Sequence, residues 1–364
     1  AQVHVWVWRP TADSGEFSRL RGMEKYRKFA DGGTGVNPFV PVWSNRKSSI
    51  LDRAKALPMF FVALIRLFIF SVAIVWLALA QFVSALVPIG IIRFPIYRLL
   101  TQIGSFTALL SLGIIPVSET VADHRRLKIL PPKVAGETPF NARHGMLVFA
   151  NQQSITDVLY LSLKMSPVFV FVTDDGTPVQ LGVLGALRRA GARSCAGKYG
   201  RGLSLAEISS RAHASSRGPV VVFAEGARTN GSCVLAFKAR TFEGVEAIDK
   251  PVGAALVAME YSKGGSYTPQ HTVGNGAAHV FWLCMRPWWH TVKSVWLPAS
   301  DVMVAVKSKP LQEQVALLRT LLVRMLPGAV EVEVTADLYA GFIEYWESSQ
   351  RSGYTQQQRR PKAS

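Results

Sequence analysis

The 364-residue sequence predicts an α/β fold, a mixed central sheet flanked by helices, preceded by a helical segment that anchors the chain to a membrane. Three observations predict it. After Met146, short apolar runs alternate with longer helical stretches, as expected of strands buried on both faces and packed between helices. The apolar run at 67–92 exceeds the roughly 20 residues a helix needs to cross a hydrocarbon core. A hydrophobic fraction of 49% supplies ample core for a chain of this length, even after the anchor is set aside.

In chain order, residues 1–56 read as a basic, loop-rich region, with Met23-Glu24-Lys25-Tyr26 as a possible native start. Its Gly- and Pro-rich stretch, 32–39, reads as a loop against the membrane or the domain edge. Residues 57–118 form the anchor. Pro88 and Gly90 break its apolar run, and a second apolar stretch follows at 99–115. Seven Lys or Arg lie in 23–56 and six in 93–133. This near-symmetry favours a re-entrant hairpin with both ends cytosolic over a single crossing, and both arrangements stay open.

Residues 119–347 form the globular domain. Strands are predicted at 146–150, 168–172, 220–224, 254–259, 280–285 and 330–334, and helices at 155–165, 179–190, 203–216 and 311–326. The last helix puts Val315, Leu318, Leu322 and Met325 on one face, a core-packing stripe. The polar tail, 348–364, reads as disordered.

A net charge of +17 calls for anionic partners. Nucleic acid is set aside, because the basic residues surround an apolar run and no nucleic-acid motif is present. A charged membrane face, an anionic lipid or a polyphosphate-bearing molecule suits the charge equally well. Three cysteines without metal-type spacing suggest a reduced compartment, and no metal site is predicted. Asn230-Gly231-Ser232 matches a glycosylation sequon formally, but it sits among residues that carry the chemistry, so no glycan is expected.

Two stretches concentrate that chemistry. In Asn151-Gln152-Gln153-Ser154-Ile155-Thr156-Asp157, Ser154 and Asp157 open an apolar helix at capping-box spacing. About seventy residues on, the buried strand before Ala224 delivers Glu225 and Arg228 to a turn that Gly226 permits. There the Arg228 guanidinium would be displayed to grip a phosphate through two hydrogen bonds, with a salt-bridged turn as the plainer alternative. His144 precedes the strand at 146–150 and should lie about 20 Å from Gln152. No motif places His124, His213, His271, His279 or His290, which read as surface or core histidines.

The two stretches resemble the first and third motif blocks of the glycerolipid (PlsC-type) acyltransferase family, Asn-His-x-Ser-x-x-Asp and Phe-Pro-Glu-Gly-Thr-Arg-Ser. The resemblance implies a glycerol-3-phosphate acyltransferase-like fold. It also implies acyl-CoA as co-substrate, no bound cofactor, and a lysophospholipid, above all lysophosphatidic acid, as acceptor within a phospholipid membrane. It places the base-orienting carboxylate on Asp157 and acceptor binding on Ser154, Glu225, Gly226 and Arg228, with Lys198 or Arg193 a further cation from the poorly matched second block, or simply surface charge. The family's histidine base falls on Gln152, and an amide cannot take a proton near neutral pH. A catalytically impaired pseudoenzyme that binds lipid or acyl-CoA is therefore the alternative. The stretch after Met23 and residues 267–298 look similar to a fungal branch of lysophosphatidic or lysophospholipid acyltransferases, implying an endoplasmic reticulum or lipid-droplet membrane with the domain facing the cytosol.

Overall fold

A computed structural model describes residues 25–41, 56–127, 139–192, 202–248, 250, 252–262, 268–286 and 289–358. Its centre is a seven-stranded sheet in the order β1 (Ile114–Val121), β8 (His290–Leu297), β7 (Ala254–Tyr261), β2 (Leu147–Ala150), β5 (Val220–Phe223), β3 (Val168–Val172) and β4 (Pro178–Leu181). The middle strands β7, β2, β5 and β3 are mutually parallel, while β8 and β4 join them antiparallel. The predicted strand runs at 146–150, 168–172 and 220–224 are apolar without alternation because both faces of β2, β3 and β5 are buried. A second, two-stranded ribbon pairs β6 (Cys233–Val234) with β9 (Val330–Glu331).

Helices cover both faces of the large sheet. On one side lie α3 (Ile155–Met165), α4 (Val183–Gly191) and α6 (Gly276–Cys284), joined there by the amino-terminal helices. On the other lie α5 (Leu205–Ala214), α7 (Ala299–Val306) and α8 (Leu311–Met325). In α8, Leu318, Leu322 and Met325 face this core, as the stripe predicts. The carboxy-terminal helix α9 (Asp337–Gln358) packs Phe342 and Trp346 against Tyr26 and Phe29 of the amino-terminal segment.

Three expectations change. The run at 280–285 is helical, as part of α6, because the Asn275 carboxamide caps its start by accepting from the Ala277 N–H. Of the helix expected at 179–190, the first part is instead the edge strand β4, and the helix starts after Gly182. Residues 348–358, expected to be disordered, continue α9. The helix at 155–165 keeps its bounds, and the elements at 203–216, 254–259 and 330–334 keep their type with shifted ends, whereas β1, β8 and α7 had no counterpart in the sequence reading.

The segment expected to form an anchor, 57–118, folds as a helical hairpin, α1 (Ala56–Leu86) and α2 (Gly90–Ser111), turning at Val87–Ile89, and its last residues belong to β1. Gly104 lets the two helices close up, since a Cβ there would meet Leu77 and Trp76 side-chain atoms within 2.9 Å. Ala63, Ala73, Leu77 and Ala80 form the inner face of α1, and the Arg66 guanidinium ties that helix to the Arg286 carbonyl at 2.8 Å. A helix at a water interface carries polar residues opposite its buried stripe. Here the opposite side is apolar: Leu57, Phe61, Ile65, Phe68, Val75 and Phe82 are exposed. Among the described residues one helix, Leu57–Leu86, is long and apolar enough to cross a membrane.

If that face lies in lipid, removing two large side chains from it should abolish most binding without disturbing the fold. Phe68 and Val75 are 70% and 69% exposed. Each would bury about 1.5–3 kcal/mol of apolar surface in a bilayer, so Phe68→Asp with Val75→Asp should weaken vesicle partitioning at least ~100-fold. Flotation with liposomes measures the loss, and an unchanged thermal transition shows that the fold is intact.

Candidate active site

The carboxyl ends of adjacent parallel strands in α/β sheets are where ligands commonly bind. Two such ends meet here. β2 releases the chain at Asn151 and β5 at Ala224, so both sequence stretches sit side by side. They are joined by backbone: the Gln152 N–H donates to Glu225 Oε1 at 3.1 Å, and the Thr229 N–H donates to the Gln152 carbonyl at 2.9 Å.

The three consecutive amides behave differently. Asn151 bridges to β7 in both directions, donating to the Met259 carbonyl at 3.0 Å and accepting from its N–H at 2.8 Å. Gln153 donates to the same carbonyl at 2.8 Å and accepts from Gln270. The Gln152 carboxamide, 1% exposed, has no hydrogen-bond partner at either its oxygen or its nitrogen. A buried amide without partners is costly, so the Gln152 side chain adds no hydrogen bond to the stability of the fold.

Asp157 is fully buried and spends both oxygens locally. Oδ2 accepts from the Gln153 and Ser154 N–H groups at 2.6 and 2.8 Å, and Oδ1 accepts a short hydrogen bond from the Tyr261 hydroxyl. Ser154 Oγ accepts from the Thr156 N–H, completing the predicted capping box. Asp157 therefore caps α3, and Ser154, also buried, faces no open surface.

Glu225 accepts from Gln152 N–H with one oxygen and from Leu235 N–H at 3.1 Å with the other. Burial raises its pKa to about 8 against the pull of those two donors, and burial raises Asp157 to about 6 despite its three. An acid whose folded pKa lies above its unfolded value contributes stability that is full below the unfolded pKa and lost as pH rises through the folded one. For Glu225 that window runs from 4.5 to about 8. Unfolding free energy should therefore fall with rising pH across it, with a shallower slope in Glu225→Gln, as denaturation at several pH values measures. An unchanged slope would place Glu225 in contact with solvent.

Arg228 departs from expectation. It is 1% exposed, and its guanidinium points inward. One terminal nitrogen donates to the Ala190 carbonyl and to His271 Nδ1 at 3.0 Å, the other to the Ala192 carbonyl and Tyr339 hydroxyl at 2.7 Å each, and Nε to that same hydroxyl at 3.3 Å. No nitrogen is left for an anion. The cation joins α4, α9 and the 268–275 segment instead of being displayed. Gly226 supplies the expected turn at φ +71°, with Ala336 closely above it. Arg193 and Lys198 lie outside the described residues.

Three participants were not legible beforehand. Tyr339 of α9 accepts from Arg228 and donates to the Thr272 carbonyl at 2.6 Å. His271 reaches the site through its own N–H, which donates to the Gln153 carbonyl at 2.9 Å. Since its Nδ1 accepts from Arg228, its neutral ring carries the proton on Nε2, which has no hydrogen-bond partner among the described residues. Burial, the stacked His279 ring and Arg228 hold its pKa well below the ordinary value. The third is the amino-terminal segment: the Asn230 carboxamide donates to the Asn37 and Val40 carbonyls, which leaves its nitrogen no room for a glycan. The stretch expected against the membrane or the domain edge thus docks on the Glu225 turn. His144 accepts from the Gly218 N–H at the far end of β2, away from Gln152 as expected.

No family model matches this sequence, and no curated protein matches it. Among solved structures the chain is similar to the crystal structure of the 1-acyl-sn-glycerophosphate (LPA) acyltransferase PlsC from Thermotoga maritima. The two share 15% identity at a TM-score of 0.38, over 73% of this chain and 95% of the other. A likeness that distant assigns neither a family nor an activity.

Proposed function

We propose that this chain is a membrane-surface glycerolipid O-acyltransferase that moves an acyl group from acyl-CoA to a lysophospholipid, most simply lysophosphatidic acid, without a histidine base. The observation that carries the reading is the convergence of both motif stretches around the unpartnered Gln152 amide, on a domain whose hairpin presents an apolar outer face. In the transfer, the acceptor hydroxyl oxygen attacks the thioester carbonyl carbon and the C–S bond breaks. The departing CoA thiolate takes up the proton that the hydroxyl loses. The Gln152 Nε2–H group is the donor available for the carbonyl oxygen as negative charge develops on it. Positioning supplies the rest of the acceleration. Because the amide is buried, substrate entry requires the chain around it to move. Similarity to the fungal branch adds an endoplasmic reticulum or lipid-droplet surface, with the domain on the cytosolic side, to this reading.

A second reading has its own support. Gln152, at the position of the family's base, cannot accept a proton, as suits a lipid or acyl-CoA binding protein that performs no transfer. Incubating membranes that hold the protein with labelled acyl-CoA and a panel of lysophospholipids separates the two. Label entering one lysophospholipid in preference to the others supports transfer and names the acceptor. Label in none of them supports binding alone.

A further inference from the structure

Opposite the candidate active site, at the amino ends of the parallel strands, two neighbouring cavities lie under the tip of the hairpin. The larger, of about 620 Å³, is walled by Ala85 of α1, Phe94 and Tyr97 of α2, Val168 at the start of β3, and Val179 and Leu181 of β4. Its size is that of ordinary small-molecule pockets. The smaller, of about 280 Å³, shares Phe94 and is lined by Arg98, Arg143, Lys164, His144 and His213. Arg93 and Arg217 border the larger one. Among the described residues, no carboxylate lines either cavity. Lys164 is paired with Glu119, and Arg93 donates to the Ser215 carbonyl at 2.6 Å. Arg98, Arg143 and Arg217 form no ion pair among the described residues.

Arg98 and Arg143, which have no ion-pair partner among the described residues, repel one another and raise the local affinity for an anion. The apolar chamber beside them, opening beneath a hairpin whose outer face is apolar, suits a chain attached to that anion. We propose that these cavities form a second lipid site, separate from the motif loops, which holds an anionic phospholipid of the bilayer. Its phosphate lies between Arg98 and Arg143, whose planar guanidinium groups match phosphate geometry, and one acyl chain lies in the larger cavity against Phe94, Tyr97 and Leu181. The proposal rests on the membrane-surface part of the proposed function and is independent of acyl transfer.

The test uses the full chain in vesicles containing a trace of phospholipid with a photoreactive group in its acyl chain, either phosphatidic acid or phosphatidylcholine, with labelled peptides identified by mass spectrometry. The expected result is that phosphatidic acid labels the segments around Phe94–Tyr97 and Val179–Leu181 in preference to phosphatidylcholine. Arg98→Ala with Arg143→Ala should lower that labelling about 30-fold while leaving labelling of the hairpin face around Phe61–Val75 unchanged. Arg98→Lys with Arg143→Lys should restore most of it, which guards against a folding defect. Equal labelling by the two lipids, labelling unaffected by the alanine pair, or preferential labelling by a photoreactive free fatty acid would each overturn the proposal. Absence of label even around Phe61–Val75 would overturn the membrane reading as well, which separates the two failures.

Discussion

Arg228→Ala is expected to lower folding stability by about 3–5 kcal/mol, far more than the loss of a ligand-facing surface arginine would cost. The substitution strands the Ala190 carbonyl, His271 Nδ1 and the acceptor side of the Tyr339 hydroxyl in the protein interior, and the half-buried Ala192 carbonyl beside them. Each buried acceptor left without its donor costs about 1–3 kcal/mol, partly recovered if water enters the space vacated. Tyr339→Phe removes the acceptor for two guanidinium nitrogens and the donor to Thr272, so it should show the same effect at a smaller size, about 1–2 kcal/mol. Chemical denaturation in detergent measures both. A loss below about 1 kcal/mol for Arg228→Ala, together with loss of lysophospholipid binding, would mean that the guanidinium faces a ligand after all.

The second large effect concerns the base. Gln152→His should raise acyl transfer by about 100-fold or more, within the range of ~100 to 10,000 that general-base catalysis typically supplies. The lower part of that range is expected for a reason specific to this fold. A catalytic histidine works best when a carboxylate holds its ring, and both Asp157 oxygens are already committed to Gln153 N–H, Ser154 N–H and Tyr261. Tyr261→Phe in the histidine background frees Oδ1 and should raise the rate further. The histidine variant should also acquire a limb in its pH–rate profile near the ordinary imidazole pKa, roughly 6.5, which the parent lacks. An unchanged rate and profile would place the reacting hydroxyl away from residue 152.

The parts of the fold legible in the sequence were those set by local pattern. Strands β2, β3 and β5 could be read because their four- or five-residue apolar runs are short and rich in Val and Phe, which favours a strand buried on both faces. The capping box at Ser154 and Asp157 depends only on residues three apart. Residues 280–285 failed because an apolar run without periodicity suits a buried helix equally well. The signal that would have decided it was Asn275, a strong cap one residue before α6. In β8 the alternation of His290, Val292, Ser294 and Trp296 inward was present but went unread.

The meeting of the two motif loops was legible, and their wiring was not. Glu225 and Gln152 fall together because adjacent parallel strands end together. The inward turn of Arg228 depends on carbonyls 36 and 38 residues earlier and a tyrosine 111 residues later, which no local pattern announces. The same distance effect hid the docking of Asn37 and Val40 on Asn230.

The central claim is that the motif loops transfer an acyl group with Gln152 in the place of a base. The measurement that bears on it most directly follows the purified wild-type protein in vesicles with acyl-CoA and lysophosphatidic acid, counting phosphatidic acid formed and CoA thiol released in the same sample. The account predicts equal amounts of the two, rising with time and exceeding the protein added. No product above the protein-free rate, in a sample where Gln152→His does form product, would contradict it.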